Sequence, residues 1–526
     1  MDKKLTKEDI TRLLRERFQK DSCQRLSDIP SPSLFKDIKK ASSRIKEAIV
    51  KKERIAIVGD YDADGVISSV ILSEFFDDLG VSYILKIPNR FTDGYGISPK
   101  IVEDLDVDII ITVDNGISAV EAGEVCKQKG IDLIITDHHT TPEHLPSAYA
   151  IVNPKQKTCD FPNSEICGAQ VAWYLVAKLK EDLGLQYNLS KFLDILAIAI
   201  VADMMPLKDI NRTMVKNGLK YLNKSNRAFL KAIKAFYNKE YFTSEDISYL
   251  LAPLINSSGR LEDAMLSYEL IKEKDENQAF LKLDYIVAIN NERKVIESEL
   301  FEKSLEIVDG DKDIIIAWGE EWHEGVIGIV AARLARKFKK PSIVFSVSGD
   351  VAKGSARSVG NINILDHITK NSSYLLGFGG HKGAAGMSIE TKKLADFKKA
   401  MEASLSTELE ENFKEKKTIL GEIDINAIDF ELLDILEFFE PYGQKNPKPR
   451  FLVKDVFVLQ QQLLGREQNH QKIVISNSLT TVESIQFNHE RSVKDGENIT
   501  FTCTINKNNF RGRISPQLIV DELILD

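Results

Sequence analysis

Between residues 53 and 203, short apolar runs alternate with segments whose apolar positions recur at helical spacing. The runs at 54–59, 83–88, 108–113 and 132–136 are rich in Ile and Val and predict buried strands. Strands alternating with helices predict a parallel α/β sheet. From 192 to about 307 the pattern turns helical and ends in a charge-laced stretch, 275–305, predicted as a long connecting helix exposed to solvent. A second α/β unit begins at Asp313, with strand-like 314–318, helix-like 328–338 and strand-like 342–346, and closes in a glycine-rich loop, 377–386. After a polar helix and the Pro- and Gly-rich segment 440–449, alternating runs at 451–459, 472–476, 499–506 and 517–524 predict a small β-barrel. The expected divisions are an N-terminal helical segment (1–45), a first α/β domain (46–210), a helical region with its long helix (211–308), a second α/β domain (309–405), and a linker with the barrel (406–526).

A chain of 526 residues, 43% hydrophobic and 28% charged, has room for several cores. Its longest apolar stretch, 192–206, is broken by Asp194 and Asp203. That falls short of the roughly 18 uninterrupted apolar residues a membrane span needs, so no membrane role is expected. The opening residues Asp2, Lys3, Lys4 and Lys7 lack a secretory signal, which makes the cytoplasm the expected compartment. Cys23, Cys126, Cys159, Cys167 and Cys503 are scattered, without a C-x-x-C pair, and read as reduced structural thiols rather than a disulfide framework or thiolate zinc site. A net charge of -9 disfavours a globally basic nucleic-acid coat while leaving room for one local basic groove.

The polar residues at the strand ends change the picture. Asp60-Tyr61-Asp62-Ala63-Asp64-Gly65 sets carboxylates at alternate positions directly after the first predicted strand, where they repel one another. Asp114-Asn115-Gly116 follows a second such strand and Asp137-His138-His139 a third. Open α/β sheets place their sites at the carboxyl edge, where all three meet. Asp203 adds a carboxylate after an apolar helix, 192–201, a costly position for an unpartnered acid that a cation would offset. Oxygen ligands with one or two imidazoles suit Mn or Mg rather than structural zinc. Two such ions about 3.5–4 Å apart would activate a water and stabilise both oxygens of an in-line phosphoryl displacement. Farther on, Gly379 and Gly380 offer backbone N–H groups to phosphate oxygens, with His381 and Lys382 adding positive charge.

The three strand-end motifs, together with Asp203, resemble the four motifs of the DHH phosphoesterase family. The resemblance implies that Asp62 holds one metal, that Asp64, His138 and Asp203 hold the other, and that Asp114 bridges both. It further implies that His139 contacts the scissile phosphate or assists the leaving group and that Asp60 orients a ligand or water. Segments 88–96, 256–261, 322–328, 354–358 and 378–386 resemble the RecJ exonucleases, a branch of that family. This branch implies a pocket for a 5′-terminal phosphate built from Arg90, Ser355 and Arg357, with Arg260 near the scissile phosphate. Guanidinium groups bind phosphate bidentately and stay charged at working pH.

Residues 440–449 resemble the segment leading into the RecJ oligonucleotide-binding (OB) barrel, whose kind holds single strands with a basic groove and aromatic platforms. Arg450, Lys472, Lys507, Arg511 and Arg513, with Phe451, Phe487 and Phe510, are the contributors the sequence offers. The chain departs from the family at Met204-Met205, where smaller branched residues are usual, and at Ser257-Ser258, where alanines are usual.

The expected fold is thus α/β: a parallel-sheet DHH catalytic domain, a long helix, a DHH-associated substrate-binding domain and an OB-fold barrel. The expected activity is 5′ to 3′ degradation of single-stranded DNA to mononucleotides with two divalent ions, Mn or Mg, in recombination and repair. A monomer is expected, served by a single-strand-binding protein or a helicase. An oligoribonucleotide or cyclic-dinucleotide phosphodiesterase is the alternative within the family. A non-catalytic single-strand-binding scaffold is the alternative from another class, and it predicts loss of a metal ligand.

Overall fold

The first strands form a wholly parallel sheet in the order β2-β1-β3-β4-β5, from β1 (Ile55–Val58), β2 (Ile84–Lys86), β3 (Ile109–Val113), β4 (Asp132–Thr136) and β5 (Ala150–Val152). The computed structural model describes residues 4–414, 418–465, 468–477, 479–489, 491–510 and 513–524. Strand β5 was not expected from the pattern, because three residues are too few to show a period. Strand order reverses between β1 and β3, which opens a crevice at their carboxyl ends. Into that crevice run the loop before the helix Ala63–Asp78 and the turn after β3. The helix Ala63–Asp78 is apolar nearly all round and buried, as such a helix must be.

Helices Leu193–Ala202, Asp209–Lys224, Ala228–Phe236 and Ala252–Leu261 share one apolar core with this sheet. The helix Glu276–Ile307, capped by the side chain of Asp275, spans 32 residues, about 48 Å at 1.5 Å per residue. It is not the solvent-exposed connector expected from its charges. Ala279, Leu283, Ile286 and Val287 enter the first core, while Leu300 and Phe301 enter a separate core beneath the second sheet. Most of its charges lie on the other faces, the exception being Arg293, buried and paired with Glu297 at 2.6 Å, so one continuous rod is anchored in a core at both ends.

The second sheet runs β6-β7-β8-β10-β9, from β6 (Ile315–Glu320), β7 (Ser342–Ser348), β8 (Val351–Arg357), β9 (Leu375–His381) and β10 (Ala384–Glu390). Only β6 and β7 are parallel. The stretch expected as a glycine-rich loop, 377–386, is a β-hairpin instead. Lys382 and Gly383 make its two-residue turn, and Gly379 pairs with Gly386 across the ladder. The helix expected from 328 begins a turn earlier, at Glu324, because the His323 side chain caps it by accepting the Gly325 N–H at 3.1 Å.

Strands β12 (Arg450–Leu464), β13 (His470–Ser476), β14 (Thr481–Gln486), β16 (Arg513–Ile524) and β15 (Asn498–Phe510) pair in that order, and β12 pairs again with β15 to close a barrel. Strand β11 (Ile419–Glu422) adds in parallel to β12. The helix Lys7–Glu16 puts Ile10 and Leu14 into the core of this barrel, and the Leu5 N–H donates to the Glu422 carbonyl at 2.7 Å. The segment ahead of the barrel is tied to the first lobe, where the Leu207 N–H donates to the Gln444 carbonyl at 2.7 Å and Ser244 Oγ donates to the Tyr442 carbonyl. Among the described residues no helix is long and apolar enough to cross a membrane.

Candidate metal centre

The loop after β1 folds on its own carboxylates. Asp62 caps the helix Ala63–Asp78, its Oδ1 accepting the N–H groups of Asp64 at 3.0 Å and Gly65 at 3.1 Å. Asn256, arriving from the helix Ala252–Leu261, accepts the N–H of Ala63 at 2.8 Å. Asp64 turns inward, where Oδ2 accepts the Gly168 N–H at 2.6 Å and Oδ1 that of Ala169 at 2.9 Å, both from the first turn of the helix Gly168–Asp182. That pairing of an acid with a helix N-terminus is electrostatically favourable.

After β3, Asp114 adopts a left-handed backbone, φ 65°, and Asn115 secures the turn. Asn115 Nδ2 donates to the carbonyls of Val58 and Val113, and its Oδ1 accepts the N–H of Ile97. After β4, Asp137 accepts the N–H groups of Ile117, His138 and His139, and its Oδ1 stands 2.7 Å from His139 Nδ1. Asp203 lies at the carboxyl end of the helix Leu193–Ala202.

These elements converge on His138. Its Nε2 lies 3.2 Å from Asp114 Oδ1, 3.6 Å from Asp203 Oδ2 and 3.7 Å from Asp64 Oδ2. Ligand atoms of Asp64, His138 and Asp203 lie within 4.8 Å of one another, as do those of Asp60, Asp62 and Asp114 and those of Asp114, His138 and His139. Asp60, Asp64 and Asp114 are each 2% exposed, so water does little to screen them.

Burial and then the charge of Asp62 lift Asp60 to about 8 and Asp64 to about 7. Burial, then the neighbouring carboxylates, hold Asp114 and Asp203 well above the usual carboxylate range. Burial, then His139, pulls His138 down to about 3, leaving it a neutral donor. Burial also opposes charge on His139, but the hydrogen bond and charge of Asp137 outweigh it and raise His139 to about 9. Asp114 Oδ1, Asp203 Oδ2 and His138 Nδ1 are buried without a hydrogen-bond partner. Converging carboxylates with unpartnered oxygens fit divalent cations, and the oxygen-rich set suits Mn or Mg.

A basic wall faces this cluster. Arg90 lies over the Tyr61 ring at 4.2 Å, and Tyr61 meets Tyr95 edge-on. Arg260 donates to the Gly325 carbonyl at 3.2 Å, and burial, then Arg90, Arg293 and Arg357, lower it to about 10. Arg357 donates to Ser355 Oγ at 3.1 Å and to the Ala356 carbonyl at 2.8 Å. Burial lowers His381, helped by Arg357, Lys155 and His139 across the cleft. The structure thus gathers Arg90, Arg260, Ser355, Arg357 and His381 beside the carboxylates. Gly379 and Gly380 lie on β9, an edge strand, so they present alternate N–H groups rather than the continuous cradle expected of a loop.

Sequence reasoning missed Gly168, whose Cβ would fall 2.2 Å from Asp114 Oδ1, and the bracing roles of Asn115, Asp137 and Asn256. The signal for Gly168 was a glycine opening an apolar helix. Of the barrel candidates, Arg450, Lys472 and Lys507 are ion-paired to Asp521, Glu483 and Glu437. Phe451 is core, and Phe487 is exposed against His470. Arg511 and the side chains of Phe510 and Arg513 lie outside the described residues.

A switch-point crevice lined by strand-end aspartates and a histidine, with arginines opposite, defines a metal-dependent phosphoesterase of the DHH class. Residues 54–200 match the DHH family, N-terminal domain; 311–407 match the DHHA1 domain; and 419–522 match the RecJ OB domain. The chain belongs to the RecJ family. It is 32% identical to the single-stranded-DNA-specific exonuclease RecJ of Haemophilus influenzae, over 97% of this chain and 95% of that protein. It is also 32% identical to the protein of that name from Bacillus subtilis, over 94% of this chain but only 64% of the longer relative. Manganese-bound RecJ from Thermus thermophilus superposes with a TM-score of 0.82 at 26% identity, covering 94% of this chain and 72% of that one. A second manganese-bound exonuclease RecJ gives 0.62 at 30% identity, over 72% of this chain and 96% of that one.

Proposed function

We propose that this enzyme degrades single-stranded DNA from its 5′ end to mononucleotides by metal-assisted phosphodiester hydrolysis, in recombination and repair. The observation that carries this reading is the meeting in one cleft of the unpartnered oxygens of Asp114 and Asp203, the His138 Nε2 that lies 3.2 and 3.6 Å from them, and Arg90, Arg260 and Arg357. Asp62 would hold one divalent ion, Asp64, His138 and Asp203 the other, and Asp114 both. Bound Mn or Mg would lower the pKa of a water and offset charge on the phosphoryl oxygens.

The chain's own residues supply the rest. Asp137 fixes the His139 ring through Nδ1, while Nε2 shares a 3.4 Å hydrogen bond with the Tyr95 hydroxyl that a substrate oxygen would replace. With its pKa raised to about 9, His139 carries a proton at neutral pH for the phosphate or for the 3′ oxygen of the departing nucleotide. Asp60, held by the Tyr61 N–H at 2.7 Å, orients the attacking water or a ligand. Arg260 stabilises charge as the phosphate is attacked. Arg90, Ser355 and Arg357 receive the 5′-terminal phosphate, with His381, Gly379 and Gly380 lining the same wall. A pocket that reads a strand end turns a phosphodiesterase into a directional exonuclease.

The division of labour follows 46–210 as catalytic domain, 309–405 as substrate-binding domain and the barrel as the grip on the strand. The enzyme would act as a cytoplasmic monomer, its substrate exposed by a helicase or handed over by a single-strand-binding protein. The test uses single strands labelled at either end, with Mn, Mg or chelator, beside a duplex, an RNA oligomer and a cyclic dinucleotide. Metal-dependent release of the 5′ label from the DNA single strand is expected. Release of the 3′ label first, or faster turnover of the RNA or cyclic dinucleotide, would sink the reading.

A further inference from the structure

The helix Ala252–Leu261 reaches from the seam with the barrel to the metal loop, and its accessible face is narrow. Before the terminal Leu261, only Pro253, Asn256 and Arg260 on it escape full burial. Their spacing of three and four residues makes one stripe. Asn256 touches the metal loop through the Ala63 N–H, and Arg260 belongs to the arginine cluster. Four residues before Pro253, on the preceding π-helical turn Ile247–Leu251, stands Tyr249, 84% exposed. Such turns are rare and frequently mark functional positions.

We propose that Tyr249 is a stacking platform for a base of the bound single strand, a few nucleotides to the 3′ side of the scissile phosphate. At helical rise, the eleven-residue step from Tyr249 to Arg260 spans roughly 16 Å, so a strand with its scissile phosphate at Arg260 passes Tyr249 along the same open stripe. The turn is held toward the barrel, because Ser244 bonds the Tyr442 carbonyl and Lys448 lies 3.4 Å from Glu245. Tyr241, 53% exposed, offers a second aromatic ring in this region, near Lys507 of β15. An exposed aromatic face suits single strands of any sequence, since every base has a π-face.

This inference rests on the reading of the chain as a single-strand exonuclease, and its test separates the two. The full-length chain and its Tyr249→Ala and Tyr249→Phe variants are compared for binding, in chelator, of a 5′-phosphorylated strand of about a dozen nucleotides. Hydrolysis of that strand and of a 5′-phosphorylated dinucleotide is then measured with Mn. Tyr249→Ala is expected to weaken binding of the long strand roughly tenfold. It should lower kcat/KM on the long strand about tenfold more than on the dinucleotide, with Tyr249→Phe restoring both. Unchanged binding of the long strand, or equal losses on both substrates, overturns the proposal. Absence of DNA hydrolysis in the unaltered chain overturns the functional reading instead, while the binding arm still decides the role of Tyr249.

Discussion

The amide of Gly168 holds Asp64 Oδ2 at 2.6 Å across 104 residues of chain, and the same glycine leaves no room for a Cβ beside Asp114. One residue therefore sets the spacing between two carboxylates that belong to different strand ends. Replacing it by Ala puts a methyl 2.2 Å from Asp114 Oδ1, and the rigid element to give way is the helix start. Gly168→Ala is expected to weaken Mn affinity roughly 10- to 100-fold, the usual cost of disturbing groups that orient ligands. Titration calorimetry of the full chain with Mn checks this, with circular dichroism confirming the fold.

Asp114 should cost stability when no cation is present. It is buried among Asp60, Asp62, Asp64 and Asp203, and its oxygen lacks a partner. Asn keeps the shape and tolerates the left-handed backbone, φ 65°, that this position requires. In chelator, Asp114→Asn is expected to raise the melting temperature by a few degrees. With Mn the order reverses, and hydrolysis is lost. A variant that melts lower than the parent in chelator contradicts the account.

Arg357 is held through one nitrogen by Ser355 Oγ and the Ala356 carbonyl, which leaves its other donors without a hydrogen-bonding partner on those two residues. Charge-assisted bonds of this kind contribute about 1.5–3 kcal/mol. Arg357→Ala should therefore lower the preference for 5′-phosphorylated over 5′-hydroxyl strands roughly 10- to 100-fold, read as the ratio of kcat/KM values. An equal loss on both strands would show that the residue serves the strand generally.

A pH effect is expected far from the metals. Burial raises Glu440 to about 7, with Glu437 and Glu245 pushing the same way and Lys448 and Lys507 opposing. Between its ordinary value of 4.5 and about 7 the folded chain holds a proton the unfolded chain has released. Stability from this group is thus full below 4.5, falls as pH rises to about 7, and is flat above. Glu440→Gln should raise the melting temperature by a few degrees at pH 8 and leave it unchanged at pH 4. Thermal melts at both values check it.

The metal cluster was legible because carboxylates directly after Ile- and Val-rich runs have no bland place to go once those runs are strands. Asp62, Asp64, Asp114 and His138 meet at the strand ends, and Asp203 joins them from the end of the helix Leu193–Ala202. What escaped were contacts that carry no residue-type signature, such as the amides of Gly168 and Ala169. The hairpin at Leu375–His381 and Ala384–Glu390 read as a loop because glycine composition hides a period of two. The helix Glu276–Ile307 read as solvated because its charges outnumber a thin apolar stripe that changes cores midway. Of the barrel's basic residues, the sequence could not tell that Arg450, Lys472 and Lys507 already have carboxylate partners.

The docking of the helix Lys7–Glu16 on the barrel also bears on how the molecule is made. Ile10 and Leu14 leave the ribosome long before Leu432, Phe451 and Phe501, members of the core they finally join. At roughly 5–20 residues per second, that helix waits on the order of half a minute with its apolar side uncovered. Its charged positions, Lys7, Glu8, Asp9, Arg12, Arg15 and Glu16, keep the waiting segment dissolved, and the lobe built on β1–β5 can finish folding between the two events.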